Sequence, residues 1–424
     1  MTLTYIFTCR VFHMHMMHHS KSPREYDLII IGGGCSGLSL AAALCRLAAK
    51  PEYVPLTLII EPRSCYTNDR SWCYWEESDQ ADSDLITKSW SIWEYSSNSV
   101  RSRHSSENGW KYHYISAIRF YNHAEKKISE NPNITLLKNS HVVDVCTVEN
   151  QIEIFLKRGK YGNNETAEKI LAKQVVDTRF PQNFGDCVST LNQVFFGFEV
   201  KTDKPHQLDD VALVMKDMRI DEEGFVFDYV LPLNTNDVLV ELTRFTGSSK
   251  PPESLRSDAL RSLGRVLGNS SYQIVREESG VIPMGLSHFV VSTDSRWIRT
   301  GLGAGAARPS TGYAFKRIQH WAQQCAEAIL NGRQGLSFPP DNTLLSWMDK
   351  IFLNAIKGNP ALAPQLFMSL AHNVPPERLL RFLTDRPETG DFLAVMLALP
   401  KLPLMRCALI ELYLGILSAC RNLI

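Results

Sequence analysis

An α/β fold, with a Rossmann-like dinucleotide-binding domain, an inserted β-sheet domain and a C-terminal helical layer, is predicted by three observations along this 424-residue chain. An apolar strand near residue 30 runs into a GxGxxG turn and a helix. A second strand then closes on an acidic residue. Much later, another strand, a second glycine-rich turn and a long helix return to the same pattern. Segments of alternating polarity lie between these halves and the tail is dense in apolar residues, so a chain of this length divides into roughly two to three packed units.

The first motif is "EYDLIIIGGGCSGLSLAAALCRLAAK". Leu28 to Ile31 form the strand, and Gly32, Gly34 and Gly37 follow at GxGxxG spacing. The first glycine permits a tight turn, the second lets backbone approach a pyrophosphate, and the third lets the helix lie close to the sheet. The phosphates then sit at the positive end of a helix. The next strand, "LTLIIE", closes on Glu61, where a carboxylate holds the ribose hydroxyls of an adenosine. That acid favours FAD or NAD over NADP, whose 2′-phosphate it would repel. The alternative is a βαβ unit that binds nothing.

Two later segments favour FAD. "KQVVDTRF" reads as a strand ending at Asp177 and Arg179, at the carboxyl end of a sheet where ligands gather. "RWIRTGLGAGAARPSTGYAFKRIQHWAQQCAEAIL" reads as a strand, a turn at Gly301, Gly303 and Gly305, and a helix from about Tyr313. Ser310, Thr311 and Gly312 open that helix and are expected to offer backbone N–H groups to a flavin. The organisation predicted is a disordered lead-in over 1–25, an FAD-binding Rossmann-like domain of the flavoprotein hydroxylase type over 26–80, 110–182 and 272–335, a substrate domain over 81–109 and 183–271, and helices over 336–424.

Forty-five basic residues balance 45 acidic ones, so net charge points away from nucleic acid and any lipid contact would be apolar. Ten dispersed cysteines, with no CxxC pair and no regular framework, fit a reducing cytoplasm. The opening "MTLTYIFTCRVFHMHMMHHSKSPREY" is too broken for a secretory signal. Its His13, His15, His18 and His19 lack Cys or carboxylate partners, so no metal is assigned. The tail "DFLAVMLALPKLPLMRCALIELYLGILSACRNLI" never reaches the ~18 apolar residues of a spanning helix. Pro400, Lys401, Pro403, Arg406 and Glu411 divide it into pieces that fit a packed helical layer or a peripheral membrane foot.

One carboxylate stands out. In "LVELTRFT", strand alternation places Glu241 on the same face as Leu239 and Thr243. It points either to water or into an apolar interior. The aromatic residues Trp72, Tyr74 and Trp75, then Phe195, Phe196 and Phe198, then Phe225, Phe227 and Tyr229, serve either as core or as walls of a pocket.

Taken in order, several motifs resemble the lycopene cyclase family of carotenoid biosynthesis, and its bacterial β-cyclases in particular. They are "NDRSWCYW", "VVDTRF", "QVFFGFEV", "FVFDYVLPL" with "LVELT", "EESGVIPMG" and "ARPSTGYAF", spread over about residues 25 to 390. The resemblance implies an FAD-dependent enzyme, an intramolecular lyase or isomerase, that closes the linear ψ-ends of lycopene into rings with reduced flavin and no net oxidation. It implies a hydrophobic polyene substrate, NAD(P)H as the reductant, and a cytoplasmic protein held peripherally at the inner face of the membrane.

Ring closure requires a proton on a carbon, attack on the resulting cation by a neighbouring double bond, and loss of a proton. The resemblance assigns Glu241 as the acid, which an apolar pocket would keep neutral. Many members carry a second acid directly after it. Here that position is Leu242, which alternation turns to the opposite face.

Trp72 and Phe198 are the aromatic residues expected at the substrate. Asp69 and Arg70 either contact flavin or form a surface pair, and Glu277 and Glu278 either remove the final proton or form a solvated turn. The rivals are an FAD monooxygenase or other oxidoreductase acting on a hydrophobic substrate, and a non-catalytic flavin- or carotenoid-binding homologue. The monooxygenase reading wants a Gly-Asp pair before the late helix, and "GLGAGAARPSTG" has none.

Overall fold

The computed structural model describes residues 24–79, 82, 84–159, 167–180, 189–286 and 294–421, with residues 414–421 described by backbone alone. The histidine-rich start lies outside them. The chain enters on β1 (Glu25–Ile31), turns into α1 (Cys35–Leu47) and returns in β2 (Thr57–Ile60). Leu28 to Ile31 are all buried because the strand is paired on both edges and covered on both faces, the setting of a parallel sheet. Gly37 is required by packing: a Cβ there would lie 1.9 Å from the Gly32 carbonyl oxygen.

Next come β3 (Ser71–Glu77), β4 (Lys88–Trp90), the hairpin β5 (Ile92–Ser97) and β6 (Val100–Ser105), and β7 (Trp110–Ser116). Strands β3, β7 and β4 make a small three-stranded sheet. Then α2 (Ala117–Ser129), β8 (Ile134–Leu137), β9 (Ser140–Val148), β10 (Gln151–Arg158) and β11 (Glu168–Asp177) complete most of the first sheet, in the order β8-β2-β1-β11-β10-β9.

The second large sheet follows as β12 (Ser189–Thr202), β13 (Ala212–Asp221), β14 (Gly224–Pro232) and β15 (Asp237–Thr246), then α3 (Arg256–Leu267) and β16 (Tyr272–Leu286). Its order is β16-β12-β15-β14-β13-β5-β6, so the β5–β6 hairpin joins this sheet, while β4 stays in the three-stranded one. Residues 272–286 correct the predicted boundary. They pair antiparallel with β12 from Ser189↔Leu286 to Thr202↔Tyr272 and belong to the substrate sheet. The turn motif alone could not reveal this, because the partner strand lies about eighty residues away in sequence.

Alternation gives this sheet two different faces. Phe196, Phe198, Val240 and Leu242 pack under Leu255, Ala259 and Leu263, the apolar stripe around α3. Phe195, Thr243 and Glu241 face the other way, into a cavity. The chain returns to the first sheet in β17 (Trp297–Arg299), beside β11, and enters α4 (Phe315–Leu330), whose buried Ile318, Trp321, Ala322, Cys325 and Ala326 repeat at helical spacing.

The helical layer comprises α5 (Thr343–Gly358), α6 (Ala363–Asn373), α7 (Pro376–Leu383), α8 (Thr389–Ala398) and α9 (Lys401–Arg421). Asn342 caps α5 by accepting from the Leu344 and Leu345 amides at 3.0 and 3.2 Å. A buried cluster ties the layer to the second glycine turn. Arg308, with no exposed surface, donates to both Asp349 oxygens at 3.2 Å and to the Phe382 carbonyl, and the Ser310 hydroxyl donates to Asp349 at 2.7 Å. Helices α8 and α9 meet at a 118° bend, and among the described residues no single helix is long and apolar enough to cross a membrane.

Candidate active site

A cavity of about 710 Å³ runs from the first glycine turn, past Glu241, to the bend between α8 and α9. At its inner end Gly34, Cys35 and Ser36 begin α1 on one side, while Gly301, Leu302 and the Ser310 to Gly312 turn stand on the other. The glycines have separate tasks. Gly32 holds φ +101° and has Thr178 where a Cβ would stand, Gly33 has Tyr66 and Glu61 there, and Gly34 faces open space. The room at Gly34 lies at the N-terminus of α1, where a phosphate is stabilised by free N–H groups.

Several predicted cofactor residues are committed within the protein. Glu61 is buried and accepts from Gly33 N–H at 2.8 Å and from the Arg63 N–H and Nε at 2.8 and 2.7 Å, so it braces the turn. Asp177 is buried and paired with Arg179 at 2.7 Å, away from the cavity wall. Gly303 and Gly305 also stand off the wall, behind Gly301 and Leu302. The amides of Thr311 and Gly312 donate to the Arg308 carbonyl at 3.4 and 2.9 Å, so the turn uses N–H groups that were expected to face a flavin. Arg70 lines the cavity and also pairs with Asp69 at 3.1 Å. Gln193 is a residue the sequence reading missed. It lines the same end, fills the space beside Gly312, and its buried Oε1 has no partner.

Farther along, Glu241 sits midway in β15 opposite Gly197 on one side and Tyr229 on the other. Its side chain is half-buried and lines the cavity. Burial, and then the charge of Glu278, raise its pKa to about 8 against the opposing Thr243 hydroxyl and Arg276. The Thr243 hydroxyl donates to Glu241 Oε1 at 2.8 Å. Burial and the neighbouring Glu278 charge thus favour the neutral form of this carboxyl.

The acid form prevails below about pH 8 and is lost as pH rises through that value. If Glu241 is the proton donor, the rate of the chemical step is expected to be flat below this point and to fall above it. A profile still rising beyond pH 9 would contradict that assignment.

Glu278 is the carboxylate of the cavity that stands beside Glu241. It is buried, accepts from Ser71 at 2.9 Å and from Arg276 at 2.6 Å, and stands across Gly197 from Glu241. Glu277, on the opposite face of β16, is exposed and pairs with Arg256. Burial works against the Arg276 guanidinium, but Glu278 and Tyr114 outweigh it and raise its pKa, so it stays charged.

Among the predicted aromatic residues, Trp72, Trp75, Phe195, Phe227 and Tyr229 line the cavity. Phe198 does not. It has no exposed surface and lies under α3, because Gly197, one residue away, takes the cavity face. Tyr95, Tyr112, Phe245 and Tyr313 were missed as wall residues. Tyr112 and Tyr229 share a 2.7 Å hydrogen bond, which satisfies their hydroxyls and leaves their rings as apolar wall. Among the described residues no cluster of metal-binding side chains is present.

Fold and site together define an α/β protein of the flavoprotein type, with two large sheets and a small third one, whose dinucleotide cradle opens into an apolar chamber lined by Glu241. The sequence pattern described as lycopene cyclase protein matches residues 27–409, and the chain belongs to that family. A lycopene beta-cyclase of Pseudescherichia vulneris is 25% identical over 298 residues, covering 68% of this chain and 70% of its own length. One from Paracoccus sp. (strain N81106 / MBIC 01143) is 29% identical over 157 residues, covering 36% and 38%. Among solved structures, a flavin-dependent brominase superposes with a TM-score of 0.58 at 13% identity, covering 88% of this chain and 97% of its own. That likeness concerns the fold.

Proposed function

We propose that this protein closes the ψ-ends of lycopene, or of a related linear carotenoid, into β-rings by acid catalysis, with reduced FAD and no net redox change. The observation that carries the reading is the placing of Glu241 on the wall of an apolar cavity that continues into the dinucleotide cradle, where burial and the Glu278 charge favour its neutral form. Glu241 gives its proton to the terminal trisubstituted alkene. The neighbouring double bond attacks the tertiary cation to form the ring bond, and loss of a proton creates the ring double bond. The cavity walls exclude water, which would otherwise capture the cation, and the faces of Trp72, Phe195 and Tyr229 offer negative electrostatic potential to it.

Room at Gly34, the open start of α1 and the orphaned Gln193 Oε1 all fit a flavin dinucleotide. Bound in reduced form, with NAD(P)H as the reductant, FAD would supply an electron-rich ring to stabilise positive charge nearby. The monooxygenase reading accounts for the cradle and the enclosure, but it leaves an uncharged carboxyl facing the substrate without a task.

We further propose that the tail is a peripheral membrane site at the cytoplasmic face. Leu399, Leu404 and Met405 line the cavity, whereas Leu397, Leu402 and Leu409 on the same helix pair are 64%, 82% and 65% exposed. An exposed apolar ridge at the mouth of an apolar chamber suits transfer of substrate from a bilayer. Changing Leu397, Leu402 and Leu409 together to Ser is expected to move the protein from the membrane fraction to the soluble fraction with its flavin retained. Unchanged partition would sink the membrane role.

Expression in a lycopene-accumulating bacterium tests the function. A red-to-orange shift, with ringed products, is expected. Persistent lycopene in cells holding soluble, flavin-loaded protein would overturn the proposal.

A further inference from the structure

Glu278 stands where two cavities meet. It lines the apolar chamber, and with Arg70 and Ser279 it also lines a second, more polar cleft of about 570 Å³ bounded by Asn68, Asp69, Glu199 and Arg276. The second cleft is open to solvent along the exposed Arg70 and Glu277. One carboxylate thus forms part of the partition between an apolar chamber and a polar cleft.

The sheet register places this group in line with the acid. Across three adjacent strands the row reads Glu278, Gly197, Glu241. Residues paired in register point to the same face, so both carboxylates project into the chamber over a residue with no side chain. Space at Gly197 is already used: a Cβ there would lie 3.0 Å from Glu241 Cβ and 3.2 Å from its Cγ. The glycine therefore keeps the path between the two acids free of a side chain.

Their surroundings differ in kind. Glu241 receives one hydroxyl, from Thr243, whereas Glu278 receives Arg276 at 2.6 Å and the Ser71 hydroxyl at 2.9 Å. Arg276 is held in turn by Glu199 at 2.9 Å. Two carboxyl groups in such unlike settings divide into an acid and a base.

We propose that Glu278 is the proton acceptor of the cyclisation and that the Glu278–Gly197–Glu241 row, open to water through the polar cleft, resets the pair after each ring. The inference rests on the cyclisation proposed above. The balance is complete without any oxidant or reductant. Glu241 loses its proton to the alkene carbon, a carbon–carbon bond forms at the cation, and a C–H bond beside the second cation breaks. The electron pair of that bond becomes the ring double bond while its proton goes to a Glu278 oxygen. Glu241 is left as a carboxylate and Glu278 as an acid, and one proton passed between them, directly or by exchange with water in the cleft, restores the starting state.

The test compares flavin-loaded wild type, Glu241→Gln and Glu278→Gln acting on lycopene in vesicles made up in D2O. Wild type is expected to form rings carrying solvent deuterium. Glu278→Gln is expected to lose ring formation by at least 100-fold, yet to return lycopene labelled at its terminal alkenes, because protonation by Glu241 proceeds and reverses. Glu241→Gln is expected to give neither rings nor label. Should Glu278→Gln fail to fold, Glu278→Asp keeps the charge on Arg276 while withdrawing the carboxylate, and the same label in recovered lycopene with fewer rings is expected.

Rings at the wild-type rate in either Glu278 variant overturn the proposal. So does a folded Glu278 variant that yields neither rings nor label, since that places Glu278 at or before protonation. Wild type that forms no rings from lycopene would instead remove the cyclase reading itself.

Discussion

Replacing Glu241 by Gln is expected to slow ring closure by about 10²- to 10⁴-fold, the usual contribution of a general acid, while flavin content stays at the wild-type level. The substitution is nearly isosteric, and the amide carbonyl still accepts from the Thr243 hydroxyl, so the strand and its register survive. What disappears is the proton that burial and the Glu278 charge favour on this carboxyl. The measurement is the initial rate of ringed product, with flavin absorbance as the control. Undiminished turnover would remove Glu241 from the mechanism. Loss of both rate and flavin would mean that the side chain holds the fold instead.

The largest effect on stability is expected at Asp349, which faces Arg308 in the cluster joining the second glycine turn to the helical layer. Asp349→Asn leaves a guanidinium with no exposed surface beside an uncharged amide, and breaking such a buried pair costs about 3–5 kcal/mol. The nearest other carboxylate is Asp385 at 3.8 Å, which is already paired with Arg317 at 3.1 Å. A lowered urea midpoint is therefore expected, together with weaker flavin retention, because Ser310 hangs from the same Asp349 oxygen as Arg308. Replacing both partners, as Arg308→Met with Asp349→Leu, is expected to recover much of the loss, since the uncompensated charge is then gone. A single variant as stable as wild type would show that the cluster holds nothing together.

How far these groups could be read in advance depends on whether the signal was local. The GxGxxG turn, the strand ending before Glu61 and the late glycine turn were legible because each is a short pattern with one steric solution. Alternation also placed Leu242 correctly, away from Glu241 and into the core under α3. It could not place Phe198. Which parity of β12 faces the cavity is set by its pairing with β15, some forty residues later, and by α3 covering the other side.

The same gap explains the choice between Glu277 and Glu278, adjacent residues whose fates are opposite because only one shares a face with Gly197. Thr311 and Gly312 were assigned to a ligand because a helix start normally leaves its amides free. Here a tight turn, closed on the Arg308 carbonyl, precedes the helix and uses them. The tail resisted a single reading because its apolar residues divide between a buried and an exposed face. Val395 and Leu399 are buried in the layer, while Leu393 and Leu397 are exposed.

The most direct test of the account is an anaerobic reaction of purified, flavin-loaded protein with NAD(P)H and lycopene in vesicles, read by chromatography and mass spectrometry. The expected result is product with one or two new rings and the same mass as lycopene. A product heavier by oxygen or altered in hydrogen content, or lycopene recovered intact from active, reduced protein, would contradict a neutral carboxyl acting as the acid of a cyclase.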